Sequence, residues 1–308
     1  KAIILSEPGT DNRIIGDSVV EIIKIGEMFT DLAESTTSGT ESWPRFRGAD
    51  IDNISKSKVP LIDNFPPEGP KQVWSVELGE GHAGAAIYDG KAYVLDYDEV
   101  RRADLLRCYE LSTGVELWQR GYRVAIKRNH GMSRTVPAIT EKYIITIGPR
   151  GHVMCLDRED GNFRWGIDLI KDYQSELPYW YTGQCPLIDN DVAILAPGGS
   201  AIMIAVDCES GEILWETPSP KNWNMSHASI MPWTFGGHKM YVYSAVGGVG
   251  GIAADGPEQG KFLWSTSAWN HSVVAPSSVC MPDGKIFLSA GYGVGSMMLK
   301  VQASGTEL

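Results

Sequence analysis

Short apolar runs separated by polar turns recur along most of the chain. Ala92-Tyr93-Val94-Leu95, Tyr143-Ile144-Ile145-Thr146-Ile147, Val192-Ala193-Ile194-Leu195, Met240-Tyr241-Val242-Tyr243 and Ile286-Phe287-Leu288 are five of them. Each follows a two-residue turn: Asp89-Gly90, Thr140-Glu141, Asn190-Asp191, Gly236-Gly237 and Asp283-Gly284 respectively. Turns of the Asp-Gly kind supply the positive φ values that tight hairpins need, so the pattern predicts antiparallel strands. Long segments of 3.6-residue periodicity are missing between residues 70 and 308, which excludes stacked helical repeats.

A longer sentence repeats on top of this pattern. Val153-Met154-Cys155-Leu156-Asp157 leads through Gly161 to Trp165, Cys108-Tyr109-Glu110 through Gly114 to Trp118, Ala205-Val206-Asp207 through Gly211 to Trp215, and Ala254-Asp255 through Gly260 to Trp264. The step from glycine to tryptophan is four residues in every copy, and a shorter copy occupies residues 300–308. From Trp74 onward the tryptophans are spaced by 44, 47, 50 and 49 residues. An all-strand repeat of that length predicts a β-propeller of four-stranded antiparallel blades. The glycine permits a left-handed turn between third and fourth strands, and the indole is expected to lie in the seam between blades. Burying such a ring removes roughly 150–250 Å² from water, about several kcal/mol per blade before entropy.

Written as aliphatic-Asp-x-x-x-Gly-x-x-x-Trp, the repeat resembles the tryptophan-docking motif of the quinoprotein (pyrroloquinoline-quinone, PQQ) β-propellers. Trp43-Pro44-Arg45-Phe46-Arg47-Gly48, followed by Gln72-Val73-Trp74, resembles the lead-in of bacterial propellers in that superfamily. The resemblance covers residues 43–308. It implies an extracytoplasmic, periplasmic location and either of two activities. The superfamily holds quinone-dependent dehydrogenases, and it also holds the lipoprotein propeller of the outer-membrane barrel-assembly machinery, which binds no quinone.

Residues 1–42 read as an N-terminal extension. Asp17-Ser18 is placed to cap a helix with Val19, Ile22, Ile23, Met28, Phe29 and Leu32 on one face, and Thr36 to Ser42 reads as a polar linker. Glu21, Glu27 and Asp31 on the other face disfavour a membrane-surface role. Strand counting leaves a remainder. Lys71 to Val76 is an outer-strand sentence with no inner strands before it, while five blades follow. The expectation is a ring of seven or eight blades, completed by further chain or by a partner; the alternative is that residues 1–40 supply strands.

With 27 basic against 38 acidic residues, the composition argues against nucleic-acid binding. The most basic stretch, Arg120 to Arg134, reads as a solvated loop between blades, and no run reaches the roughly 18 apolar residues of a membrane span. Five scattered cysteines are too few for a disulfide framework, and Cys108 and Cys155, equivalent in adjacent repeats, read as core packing. The glycine clusters Gly247-Gly248-Val249-Gly250-Gly251 and Gly291-Tyr292-Gly293-Val294-Gly295 open no helix and read as turns or crowded strands, not phosphate loops.

In a propeller, the loops that feed the innermost strands converge on a central funnel. Here they are residues 79–84, 129–134, 179–184, 222–227 and 268–273, and four of the six histidines share this register: His82, His130, His227 and His271. A small-molecule or peptide pocket lined by His82, His130, Arg134, Tyr181, Gln184, His227, Trp269, Asn270 and His271 is one reading; metal binding and simple loop bonding are others. A quinone dehydrogenase needs carboxylates to hold calcium beside the quinone and to act as base, and the five loops offer one acid, Glu80. The neighbouring cysteines of the family's alcohol dehydrogenases are also missing. The sequence therefore favours a non-catalytic binding or scaffold module with a protein partner and no cofactor. PQQ with calcium belongs to the dehydrogenase alternative, and a carbohydrate-binding propeller stacking sugars on Tyr179, Trp180, Trp223 and Trp269 is the third reading.

Overall fold

The computed structural model describes residues 22–60, 62–128 and 131–303, and five antiparallel sheets follow one another along the chain. Blade 1 contains β1 (Met28–Asp31), β2 (Ala86–Tyr88), β3 (Lys91–Asp98), β4 (Ala103–Glu110) and β5 (Glu116–Arg123), in the order β1-β5-β4-β3-β2. Blade 2 is the meander β6 (Ala138–Ile139), β7 (Tyr143–Ile147), β8 (His152–Asp157) and β9 (Phe163–Asp168), followed by the single-turn helix α1 (Leu169–Tyr173). Blade 3 is β10 (Leu187–Asp189), β11 (Val192–Leu195), β12 (Ala201–Asp207) and β13 (Ile213–Pro218). Blade 4 is β14 (Met231–Phe235), β15 (His238–Ala245), β16 (Gly248–Ala253) and β17 (Phe262–Thr266). Blade 5 has three strands among the described residues: β18 (Val279–Cys280), β19 (Lys285–Ala290) and β20 (Gly295–Lys300). The molecule is an arc of β-propeller blades, as the repeat predicts.

The turn chemistry works as expected at three of the five hairpins; at Asp283-Gly284 only the glycine (φ 86°) is left-handed, and at Thr140-Glu141 neither residue is. Asp89 and Gly90 have φ 48° and 70°, Asn190 and Asp191 50° and 61°, and Gly236 and Gly237 60° and 83°. Two successive positive φ values match a hairpin's turn to the right-handed twist of its strands. A β-bulge then recurs at one place in the first four blades. The outer pair of strands slips register just after Cys108, Cys155, Ala205 and Gly251, whose cross-strand partners are Trp118, Trp165, Trp215 and Trp264.

Those bulges aim the indoles at the next blade. A Cβ added to Gly114 would stand 2.6 Å from the Trp74 ring, and one on Gly161 2.9 Å from Trp118. At Gly211 the gap to Trp165 is 2.7 Å, and at Gly260 it is 3.0 Å to Trp215. These glycines also hold φ between 68° and 78°. Only glycine satisfies both the left-handed backbone and the contact. The Trp74 and Trp165 Nε1 atoms further donate to the carbonyls of Leu111 (2.8 Å) and Cys208 (2.9 Å), which are equivalent positions in the repeats of blades 1 and 3.

Four expectations change. In its described part the N-terminal helix is not formed: residues 28–31 are strand β1, paired antiparallel to β5 at the outer edge of blade 1. Met28 and Phe29 fit a strand as well as a helical face, and the open edge of β5 decides between them. Residues 1–21, including Asp17 and Val19, lie outside the described residues. The polar linker is instead a clamp. Ser35, Thr36 and Thr37 gather round the Glu110 carboxylate, with the Thr36 and Thr37 amides donating at 2.7 and 3.1 Å. Finally, Lys71–Val76 is not in a strand, although Trp74 is docked. The basic stretch is also less solvated than read, since Arg120 lies on β5 and donates to the Gly161 carbonyl of blade 2 at 2.9 Å.

Candidate functional site at the hub

The loops that feed the inner strands are stitched to one another. In the first pair His82 N donates to Ser133 O at 2.7 Å and Met132 N to Glu80 O at 3.0 Å; further round, His227 N donates to Val274 O at 3.0 Å. One step nearer the inner strands, a belt of side-chain acceptors runs from blade to blade. Val136 N donates to Cys185 Sγ (3.2 Å), Cys185 N to Ser229 Oγ (2.9 Å), and Ser229 N to Ser277 Oγ (2.9 Å). Each residue precedes its inner strand by two positions, so equivalent amides all find the next blade's heteroatom. Sequence reading missed this belt, whose only signal is a small polar or thiol side chain at a fixed offset in three loops.

These loops enclose a cavity of about 370 Å³ lined by His82, Arg134, Trp180, His227, Tyr292 and the small residues Gly183, Val273, Ala275 and Gly291. Its aromatic wall stands on unusual backbone. Trp180, Tyr181 and Tyr292 hold φ of 67°, 73° and 59°, a left-handed conformation that large side chains rarely adopt and that concentrates at functional sites. Trp180 stacks on Tyr292 with ring centres 5.7 Å apart and planes 25° apart, and lies 6.1 Å from the His227 ring. His227 is held through Nε2, which donates to Tyr179 O at 2.5 Å because a carbonyl can only accept. Its Nδ1 is buried without a partner, and burial pulls its pKa below the ordinary imidazole value. Arg134 Nη2 donates to Gly131 O at 3.1 Å, and desolvation pulls the guanidinium's pKa down.

The residues expected at the hub divide into two groups. His82, Arg134 and His227 meet at the cavity, joined by Trp180 from the carbohydrate reading. Tyr292 was missed; its signal was an aromatic between two glycines in a tight turn. Tyr181 turns its hydroxyl to Lys127 O at 2.5 Å. Gln184 is buried, its amide clamped on both backbone groups of Ala196. Trp269 is buried in the core with His271 edge-on at 4.4 Å, and Asn270 is exposed. His130 lies outside the described residues. Of the proposed sugar platforms, Trp223 is buried like Trp269, while Tyr179 is exposed.

The arrangement does not fit calcium-bound quinone. No carboxylate lines the cavity among the described residues, and Glu80 pairs with Arg128. No group of three His, Cys, Asp or Glu side chains among the described residues is arranged to hold a metal ion. Imidazoles, a guanidinium and aromatic faces suit binding of an anionic or flat group.

Blades with outer-strand tryptophans packed on the glycines of the next blade define a quinoprotein-like repeat propeller. The chain belongs to the outer membrane protein assembly factor BamB family, whose model matches residues 66–176 and 102–307. No curated protein matches it. Among solved structures, BamB from Moraxella catarrhalis is similar at 16% identity and TM-score 0.44, over 73% of this chain and 62% of that one. A europium-containing methanol dehydrogenase matches at 13% identity and TM-score 0.44, over 63% and 43% of the two chains. The quinohemoprotein alcohol dehydrogenase ADHIIG from Pseudomonas putida HK5 matches at 15% and 0.46, over 68% and 43%. The chain therefore spans between 43% and 62% of the length of these solved relatives.

Proposed function

We propose that this chain is a non-catalytic binding module, a scaffold working outside the cytoplasm whose recognition face is the hub. The observation that carries this reading is the strained aromatic wall. Trp180 and Tyr292 are held in left-handed backbone beside His82, Arg134 and His227, with no acid among the described lining residues to serve as base or cation ligand. Backbone strain of order 1–3 kcal/mol per residue persists only where the surroundings enforce it, and here its result is a displayed aromatic surface, with Tyr292 78% exposed. Membership of an outer-membrane assembly family supports a protein as the partner. No described helix is long and apolar enough to cross a membrane.

Three measurements test the reading. A photo-crosslinking amino acid at position 292 or 180, in cells that express the protein, is expected to give a discrete protein adduct; the same probe at the exposed turn residue Val100 is not. Calorimetric titration with PQQ and calcium is expected to show no binding, and dye-linked alcohol oxidation no turnover. Quinone-dependent turnover abolished by Trp180→Ala would establish the dehydrogenase reading instead.

A further inference from the structure

Two of the five cysteines, 53 residues apart in sequence, meet across the seam between blades 2 and 3. Cys155 is in β8, opposite Trp165, and Cys208 follows the last residue of β12. Both are fully buried, in one apolar cluster with Tyr143, Ile145, Trp165 and Val206. The Cys155 thiol donates to the Cys208 carbonyl at 3.3 Å, and the neighbouring Cys208 side chain pushes the Cys155 pKa up. The Trp165 indole donates to the same carbonyl at 2.9 Å, so Cys208 is fixed from two sides by blade 2. Two of the other cysteines are placed differently: Cys185 Sγ accepts an amide of the hub belt, and Cys108 is buried in a separate cluster with Tyr93 and Trp118.

We infer that Cys155 and Cys208 form a disulfide that staples blade 2 to blade 3 when the chain folds in the presence of a disulfide oxidant. In the chemistry, one cysteine thiolate attacks a sulfur of the oxidant's disulfide and expels one thiolate, giving a mixed disulfide. The second cysteine thiolate then attacks the protein-bound sulfur and expels the other. One S–S bond forms in the protein and one breaks in the oxidant, which takes up the two electrons; the two cysteine protons go to solvent. Both side chains are fully buried in the folded seam, and the Cys208 side chain, with burial, raises the Cys155 pKa. The exchange therefore belongs to folding, before the seam closes, and the finished bond is shielded from reductant. In the cell this requires the extracytoplasmic location of the proposed reading; in vitro it is independent of the hub.

The test is oxidative refolding of the full chain in a mixture of reduced and oxidised glutathione, then acid quench, unfolding, alkylation and mass analysis. The expected product is about 2 Da lighter before alkylation, takes up three alkyl groups instead of five, and gives a cross-linked peptide joining positions 155 and 208. Reductant without denaturant is expected to leave the bond intact for hours, and reductant with denaturant to remove it. Cys155→Ser and Cys208→Ser each abolish the link, whereas Cys280→Ser leaves it. Five alkylations after oxidation, or a link to another cysteine, overturns the inference, and the wild-type result decides even where a variant fails to fold. Retention of the bond by a chain that gives no crosslink at the hub would remove the proposed function without touching the staple.

Discussion

A carboxyl and an imidazole lie buried between blades 1 and 2 with opposite preferences for a proton. Asp104 on β4 accepts from the Tyr122 hydroxyl at 2.9 Å through one oxygen, while the other has no partner. Desolvation pushes its pKa up to about 7, with nearby Asp96 acting in the same direction. His152 on β8 lies edge-on to the Tyr122 ring at 5.1 Å, its Nδ1 unpartnered. Burial pulls it down to about 4, with Asp168 opposing and Arg150 assisting. Between about pH 4 and 7 folded Asp104 keeps a proton that the unfolded chain releases, so stability falls as pH rises. Between about pH 4 and 6.5 the unfolded chain binds a proton that folded His152 refuses, so stability rises with pH. The two slopes cancel over most of that window. Asp104→Asn is expected to unmask a rise in unfolding free energy on the order of 2 kcal/mol from pH 4 to 6.5, and His152→Gln a fall of similar size. Urea titrations at several pH values check both; equal slopes in wild type and the two variants would refute the pairing. None of this was legible in sequence, because residues 104 and 152 become neighbours only through blade stacking.

At the scale of elements, the strap formed by residues 28–37 depends on one carboxylate. Glu110 ends β4 and accepts from Thr36 and Thr37 amides and from the Thr36 and Thr113 hydroxyls. These bonds, the Thr36 amide first, hold its pKa down to about 2 against the opposing effect of desolvation. The stabilisation is present above the ordinary carboxylate pKa and is lost as pH falls from about 4.5 towards 2. Glu110→Gln is expected to speed amide exchange in residues 28–37 while β3 and β4 keep their protection; unchanged exchange would show that β1 holds the strap alone. The hub belt is tested by Ser229→Ala, which leaves the Cys185 amide without its acceptor and is expected to cost about 1–3 kcal/mol in a urea titration. Strand positions were readable because hairpin turns and alternating apolar runs are local signals. The strap was not: Met28, Phe29 and Leu32 suit either period, and only the vacant edge of β5 selects a strand.

Across the whole molecule, cohesion rests on contacts between successive blades, and the seams are not equal. Trp165 has the most complete one, being 9% exposed, bonded to Cys208 O and seated on Gly211. Trp118 is as buried but its indole N–H has no partner, and Trp74 is seated without a strand behind it. The Gly-to-Trp interval made these seams visible in sequence; which indole would gain a hydrogen bond was not, because Trp118 and Trp165 share the same bulge and only Trp165 is bonded. In a stack where each repeat touches only its neighbours, stability is a sum of repeat and interface terms. Trp165→Ala, which removes a bond as well as packing, is therefore expected to cost about 3–5 kcal/mol, and Trp118→Ala less. Gly211→Ala attacks the same seam from the other side, through a positive φ of 76° and a Cβ 2.7 Å from the ring. Because Gly211→Ala and Trp165→Ala break one contact, the double variant should be less destabilised than the sum of the singles, whereas Gly211→Ala with Trp118→Ala, in different seams, should be additive. Urea unfolding of the three single and two double variants measures both couplings. Additivity in the first pair would mean that the glycine serves its turn alone, and the indole would no longer be what joins blade 2 to blade 3.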